Sequence, residues 1–497
     1  MASVLGPRGV GIAGALLAAA CPSPALAQQA GSGDTRLRLD QTVEQRKAEA
    51  ETRVRDETER LDPTSVEIDG TTYAVGRNAS DTGAALYVSI MRRRWADVRR
   101  FLAAYRALPG HEDGLILYAE GGLAREAGDM AGAERAYRAL VAAQPDFVPG
   151  RLELARVLFL DRRDREAAQA FAGVRGALLA QGDKAAGVVR TVDTFLAALR
   201  KRRGVQGMVS FGPEYSSNLN QSSASYTCLI PGASGDCLFD RKVPDPIAAR
   251  GINIEGNATL RLPLAGHDGI GGRALAFGDL FPGHGRYSQT ALSLYAGYDR
   301  RTAATGLVLA PSFDLGTLGG QRLYDAWGLH GEYSRGFGSR TLVRVEGNWR
   351  DYRYRRDGYR DYDGRQADAW LTGFHTLPHG WTVFGGPDLL DKRAGDRVNA
   401  YRQYGARLGL DRTIGAAVDL LLTASLRRRD YGAFSPLLDA RRRDVERNYT
   451  MLARLPGAKV AGLSPSLLVQ HSRVGSNVDW LYSYRRTSVS LRMDHVF

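Results

Sequence analysis

Ser488 to Phe497 reads SVSLRMDHVF, and its alternation sets the fold. Val489, Leu491, Met493, His495 and Phe497 fall on one face, and Ser488, Ser490, Arg492 and Asp494 on the other. A period of two is the signature of a strand with two unlike faces. The polar face carries charges of both signs. A water-soluble barrel would need an apolar interior, whereas an outer-membrane barrel turns apolar residues to lipid and polar ones to its lumen.

The same alternation recurs upstream. Ile252, Ile254, Ala258, Leu260 and Leu262 alternate with Asn253, Glu255, Asn257, Thr259 and Arg261. Val343, Val345 and Trp349 alternate with Arg344, Glu346, Asn348 and Arg350, and Val418, Leu420, Leu422 and Leu426 with Asp419, Thr423, Ser425 and Arg427. About fourteen strands are expected, beginning near residues 205, 250, 271, 286, 303, 321, 339, 366, 380, 400, 416, 442, 463 and 482. Short connections (Gly338-Ser339, Leu377 to Gly380, Thr413 to Gly415) alternate with long ones (Gln221 to Ala248, Tyr352 to Arg365, Asp430 to Arg443, Arg473 to Trp480). An even count with short periplasmic turns and long outer loops is the rule for single-chain bacterial barrels. The terminal Phe497 resembles the signature read by barrel-assembly machinery, with His495 departing from the usual aromatic.

The N-terminus agrees with that address. Arg8, the apolar run Val10 to Ala20 and Ala25-Leu26-Ala27 form a signal peptide over residues 1–27, with cleavage expected after Ala27. A lipoprotein signal at Cys21 ranks second, because Ala18 stands where a larger aliphatic is usual. In an oxidising compartment Cys228 and Cys237 are expected to form a disulfide in a polar loop, with two unpaired thiols as the alternative.

Residues 28–63 read as a polar leader, disordered to about Asp40, then a highly charged run that is an exposed helix or disordered. Residues 64–81 carry a short hairpin signal around Asp69-Gly70 and a linker. Over residues 82–203 the apolar period becomes helical, and it repeats. Gly121 and Ala155, Ala133 and Ala167, and Tyr137 and Phe171 are each 34 apart, the spacing of tetratricopeptide repeats. The fold expected is therefore an α-helical tetratricopeptide-type periplasmic domain followed, over residues 204–497, by a transmembrane antiparallel β-barrel.

This order resembles the surface lipoprotein assembly modulator family. The likeness runs from Ile68-Asp69-Gly70…Tyr73-Ala74-Val75 through Ala85-Leu86-Tyr87, Trp95 and Phe101 to Tyr105. It continues in Leu108-Pro109, Gly128-Asp129, Pro145-Asp146-Phe147 and Arg151 to Phe159, and in Tyr215-Ser216-Ser217-Asn218-Leu219-Asn220 where the barrel opens. The resemblance implies a translocator that moves client proteins, surface lipoproteins or soluble haem- or metal-scavenging proteins, to the cell surface. Its helical groove would receive the client, with Tyr118, Arg125, Arg151, Glu153 and Arg156 as candidate contacts.

No catalytic constellation, metal motif or cofactor is expected. Gly269 to Gly272 (GIGG) reads as a turn before a strand, a weak phosphate cradle. The candidate lumen residues are Glu255, Arg261, Arg344, Glu346, Arg350, Arg407, Asp411, Asp419, Arg427, Arg492 and Asp494. They would either pair to stiffen the wall or give a wet path for an unfolded client. The net charge of +13 fits nucleic acid, anionic lipid or solvated loops. Outer-loop placement of Tyr352 to Arg365 and of the triplets 427–429 and 441–443 favours lipopolysaccharide phosphates or plain solvation over nucleic acid. A monomeric barrel is expected. A polysaccharide exporter would carry longer helical arrays and a lumen of one charge sign, and a passive porin would not need the groove.

Overall fold

The computed structural model describes residues 34–36, 38–39, 76, 78–180, 182–231, 236–415 and 417–497. The expected signal peptide, the charged run after Asp40 and the hairpin at Asp69-Gly70 lie outside the described residues.

From residue 78 on, the described residues begin with seven helices: α1 (Ala79–Met91), α2 (Trp95–Arg106), α3 (Asp113–Glu126), α4 (Met130–Ala143), α5 (Val148–Leu160), α6 (Asp164–Leu179) and α7 (Ala186–Arg203). They stack as three hairpins closed by α7. The 34-residue pairs do the packing: Ala133, Ala155, Ala167 and Phe171 are wholly buried and Tyr137 nearly so. Gly121 is required by that contact, because a Cβ there would lie 2.6 Å from the Tyr137 ring. One repeat later the ring is the smaller Phe171, and the corresponding position tolerates Ala155. Helix α7 seals the end by stacking Phe195 on Phe171, with centroids 4.6 Å apart.

The remainder is β1 (Gln206–Ser216), β2 (Tyr226–Pro231), β3 (Cys237–Lys242), β4 (Ala249–Pro263), β5 (Asp268–Leu280), β6 (Gln289–Arg301), β7 (Thr305–Leu318), β8 (Gln321–Phe337), β9 (Thr341–Tyr354), β10 (Gly364–Thr376), β11 (Trp381–Lys392), β12 (Tyr401–Ile414), β13 (Val418–Tyr431), β14 (Arg443–Arg454), β15 (Ser464–Ser476) and β16 (Tyr484–Val496). All but β2 and β3 form one closed antiparallel barrel of fourteen strands, in which β1 pairs with both β4 and β16. Closure is achieved within one chain. Each expected strand start falls within three residues of the observed one. Short reversals such as the three-residue turn that begins at Gly338, at φ 64°, use the left-handed region that glycine enters without strain.

Three expectations change, and the loop that holds the expected disulfide proves to carry a hairpin. The GIGG segment is not a turn: the reversal is made by Leu264 to His267, and Gly269 to Gly272 lie inside β5. Their small size is a packing need, since a Cβ on Gly271 would meet the Asp299 carboxylate at 2.7 Å. The long loop from Gln221 carries a hairpin, β2–β3, closed by a Cys228–Cys237 disulfide. The tyrosines after Tyr352 do not reach outward. Tyr352, Tyr354 and Tyr362 are buried with Tyr324 in an inward aromatic cluster. The arginine triplets are split by strand alternation: Arg427, Arg429 and Arg442 are buried, whereas Arg428, Arg441 and Arg443 are not.

Replacing Gly121 by alanine should lower the stability of the helical domain by about 1–3 kcal/mol through overpacking against Tyr137. Thermal unfolding followed at 222 nm checks this; an unchanged helical transition would mean the ring is free to move.

Candidate functional site

Three features form the site: a helical platform, the periplasmic mouth it sits on, and the lumen behind it. On the platform, Glu153 is buried and held by two arginines. Arg156 donates Nη1–H to its Oε1 at 2.6 Å, and Arg125 donates to its Oε2. Tyr118 packs edge-on against Tyr137 and Phe147, at 6.0 and 5.7 Å between centroids. Burial, with the Glu153 charge second, pushes its phenol well above the ordinary value. Tyr118, Arg125, Glu153 and Arg156 are thus drawn into one cluster. Arg151 stands apart, its guanidinium near the Gly173 backbone.

The platform docks on the short turns of the barrel. At the α5–α6 corner, Asp161 accepts from His267 Nε2 at 2.8 Å and from the Ala303 amide at 3.4 Å. Asp164 is shared by Arg202 at 2.8 Å and by the barrel's Arg261 at 3.3 Å. Glu166 accepts from the Gly266 amide at 3.2 Å. Arg261, read as a lumen residue, therefore sits at the mouth, where it joins the helical domain to Asp299 of β6.

Inside, the odd positions of β4, β12 and β13 and the even positions of β9 and β16 face the lumen. Glu255, Arg344, Glu346, Arg350, Arg407, Asp411, Asp419, Arg427, Arg492 and Asp494 all have that parity. Most meet an opposite charge one or two strands away. Arg350 bridges Asp314 and Asp368 at 2.8 and 2.7 Å. Arg344 faces Glu332 at 3.3 Å, Arg492 holds Glu255 at 2.6 Å, and Arg454 holds Asp494 at 3.1 Å. Asp419 stands opposite Arg454 in the β13–β14 register. Arg407 and Arg427 flank Asp388 at 3.5 and 3.3 Å, with Arg407 also 4.5 Å from the Trp370 ring. Sequence reading missed Asp314, Asp368, Asp388, Arg429 and Glu446, although the same alternation on β7, β10, β11, β13 and β14 marks them.

One occupant of the lumen belongs to the chain itself. Residues 34–36 and 38–39, expected as disordered leader, are helical and lie inside the barrel. Arg427 donates to Asp34 at 2.5 and 2.9 Å, Arg36 reaches Asp314 at 2.5 Å, and Arg38 pairs with Glu255. Leu39 is fully buried against Met208 and Leu275. The partners are supplied by strands hundreds of residues away, so composition alone reads as disorder. Among the described residues, no group of three or more His, Cys, Asp or Glu is placed to hold a metal.

Residues 206–497 match the family model for surface lipoprotein assembly modifier, and residues 69–171 match the model of that family's N-terminal TPR repeats. This chain belongs to the surface lipoprotein assembly modifier family. It is 32% identical over 480 residues to the hemophilin secretion modulator of Acinetobacter baumannii, covering 93% of this chain and 96% of that one. Identity is 25% over 443 residues to surface lipoprotein assembly modifier 1 of Neisseria meningitidis serogroup B, covering 87% and 86%. The Haemophilus influenzae protein of the same name is 23% identical over 427 residues, covering 83% and 84%. The barrel places this family member in the outer membrane.

The segment Tyr215 to Asn220, where the barrel opens, has a structural task here. Asn218 Nδ2 donates to Ser222 O and Arg485 O at 2.9 and 3.0 Å, and Asn220 Oδ1 accepts from the Ile247 amide at 2.9 Å. Ser217 Oγ accepts from the Thr487 amide at 2.9 Å. The segment joins the two ends of the long β1–β4 loop to each other and ties the first of them to β16.

Acid should loosen the docking. Burial alone would raise the Glu166 carboxyl, but hydrogen bonds and charge from Arg163, with the Gly266 amide and Arg138, hold it below the ordinary range. A lowered carboxyl contributes stability above its unfolded value, about 4.3, and loses it as pH falls through the folded value. Glu166→Gln should cost no more than about 1 kcal/mol at neutral pH, because the group is only half-buried and is screened by solvent, and should flatten the acid limb of thermal stability. Parallel acid limbs in wild type and variant would refute this.

Proposed function

We propose that this chain translocates client proteins across the outer membrane to the cell surface, as a non-enzymatic conduit. The observation that carries the reading is continuity: a stacked-helix platform is fastened by Asp161, Asp164 and Glu166 to the inner mouth of a barrel whose lumen is charged in both signs. Repeat stacks of this kind present concave surfaces suited to extended peptide. A mixed-charge wall offers no net attraction to an anionic polymer and no apolar surface on which an unfolded client would stick. The hemophilin secretion modulator and the surface lipoprotein assembly modifiers, by their names, act on a secreted protein and on surface lipoproteins; the client class proposed here is the same. Deleting the gene should leave the client in the periplasm at undiminished total level, seen by protease shaving of intact cells. Unchanged surface exposure of every candidate client would overturn the proposal.

We further propose that the barrel holds lipopolysaccharide at the outer leaflet through Arg447, Arg473 and Arg485. These three face outward in one cross-strand row, Arg447 opposite Arg473 and Arg473 opposite Arg485. All are exposed, and their side chains meet no partner among the described residues. Like charges on adjacent strands, about 4.8 Å apart, destabilise a sheet unless an anion compensates. The next rows inward are Tyr449, His471 and Thr487, then Met451, Val469 and Val489, which sets the arginines at head-group level. Bidentate guanidinium–phosphate pairing suits the phosphates of lipid A. Added lipopolysaccharide should raise the melting temperature of the purified chain by a few degrees, dephosphorylated lipopolysaccharide should not, and Arg447→Ala/Arg473→Ala/Arg485→Ala should abolish the gain. Equal stabilisation of the triple variant would refute the site.

A further inference from the structure

We infer that residues 34–36 and 38–39 form a built-in plug, and that Arg427, Asp314 and Glu255 are its receptor on the barrel wall. The ligand class of this lumen site is a short segment with an acidic residue followed by basic residues two and four positions on, and the chain's own Asp34, Arg36 and Arg38 occupy it.

The geometry closes the lumen. Fourteen strands at about 4.8 Å spacing and a tilt near 40° enclose a backbone cylinder roughly 27 Å across. A helix with its side chains takes about 10–12 Å of that, and inward arginines and tyrosines fill much of the rest. The three contact points surround the bore. Going round the sheet, β7 is six strand steps from β13, β4 is three steps from β7, and five steps lead from β4 back to β13. Residues two apart project from opposite sides of a helix, as Asp34 and Arg36 do in reaching β13 and β7.

The polar match is specific. The Asp34 carboxylate takes both terminal nitrogens of Arg427, and also accepts from Ser425 Oγ at 3.0 Å and Asn448 Nδ2 at 2.8 Å. Arg36 adds a second cation to Asp314, which already accepts from Arg350 at 2.8 Å. Arg38 does the same for Glu255, which also holds Arg492 at 2.6 Å. Each wall residue therefore keeps one partner on the wall when the plug leaves. Removing the plug does not strand an unpaired charge, and this makes the contact reversible. A client segment entering from the helical platform would displace it; that last step rests on the translocator reading, whereas closure does not.

The test is ion conductance of the full-length chain in planar bilayers, with no client present. Wild type should be closed for most of the record. Arg36→Glu/Arg38→Glu, which sets acid against Asp314 and Glu255, should raise the mean current several-fold, and deletion of residues 34–39 should do the same. Arg36→Lys/Arg38→Lys should stay closed. Heat-modifiable migration on gels confirms that each barrel is folded. Conductance equal to wild type in both the reversal variant and the deletion would overturn the plug. That outcome would leave the translocator proposal standing, since protease shaving tests it separately.

Discussion

A strand that crosses hydrocarbon has no water to satisfy its peptide groups, so every one must be paired by another strand, and the sheet must close. The pairing of β1 with both β4 and β16 meets that demand. Other features follow from it. Closure with an even number of strands brings Gln206 and Val496 to the same end, and it is there that the helical domain can be fastened. Closure also divides every strand into a lipid face and a lumen face, so alternate residues answer to different solvents. Leu426 and Leu491 are exposed because lipid is their solvent, and Arg427 and Arg492 are buried because the lumen is theirs.

Charge in the lumen obeys a second constraint. An ion removed from bulk water must find a partner or a hydrogen bond, and an unpaired buried charge is far more costly than a paired one. The wall meets this by pairing across strands: Arg350 with Asp314 and Asp368, Arg427 and Arg407 with Asp388, and Arg454 with Asp494. A conduit built this way is hydrophilic without being adhesive. Single-sign patches would capture a client of opposite charge, and an apolar lining would trap exposed hydrophobic side chains.

Barrel and helical domain were legible in the sequence for different reasons. Alternation of period two is a local property, and it survives in β4, β9, β13 and β16 because lipid and lumen differ so strongly. The 34-residue repeat is legible because Gly121, Ala133 and Tyr137 are fixed by one helix contact that recurs. What stayed hidden depends on contacts between distant segments. Arg261 looks like any lumen residue until Asp164 of the helical domain is placed beside it. The arginines at 427–429 look like one basic patch until alternation sends Arg428 out to Asp430 and its neighbours in. Asp34, Arg36 and Arg38 look like solvated leader because their partners are strands that have not yet been drawn.

These long-range contacts have a common form, a charged side chain on the helical part meeting a hydrogen-bonding or oppositely charged group on the barrel. Asp161, Asp164 and Glu166 hold the platform at the rim, while Asp34, Arg36 and Arg38 reach the bore. The two sets overlap in exposure. Asp164 and Arg261 at the rim are buried, as Arg38 and Glu255 in the bore are, and Glu166 is the half-buried exception. Charged contacts strengthen as water is excluded, so the Asp164–Arg261 pair and the bore pairs hold more firmly than the contact of Glu166. A client that brings water and its own charges into the bore weakens them directly, without any change in the wall. The strength of closure and its sensitivity to an entering chain then have a single origin, the dryness of the lumen around the segment that fills it.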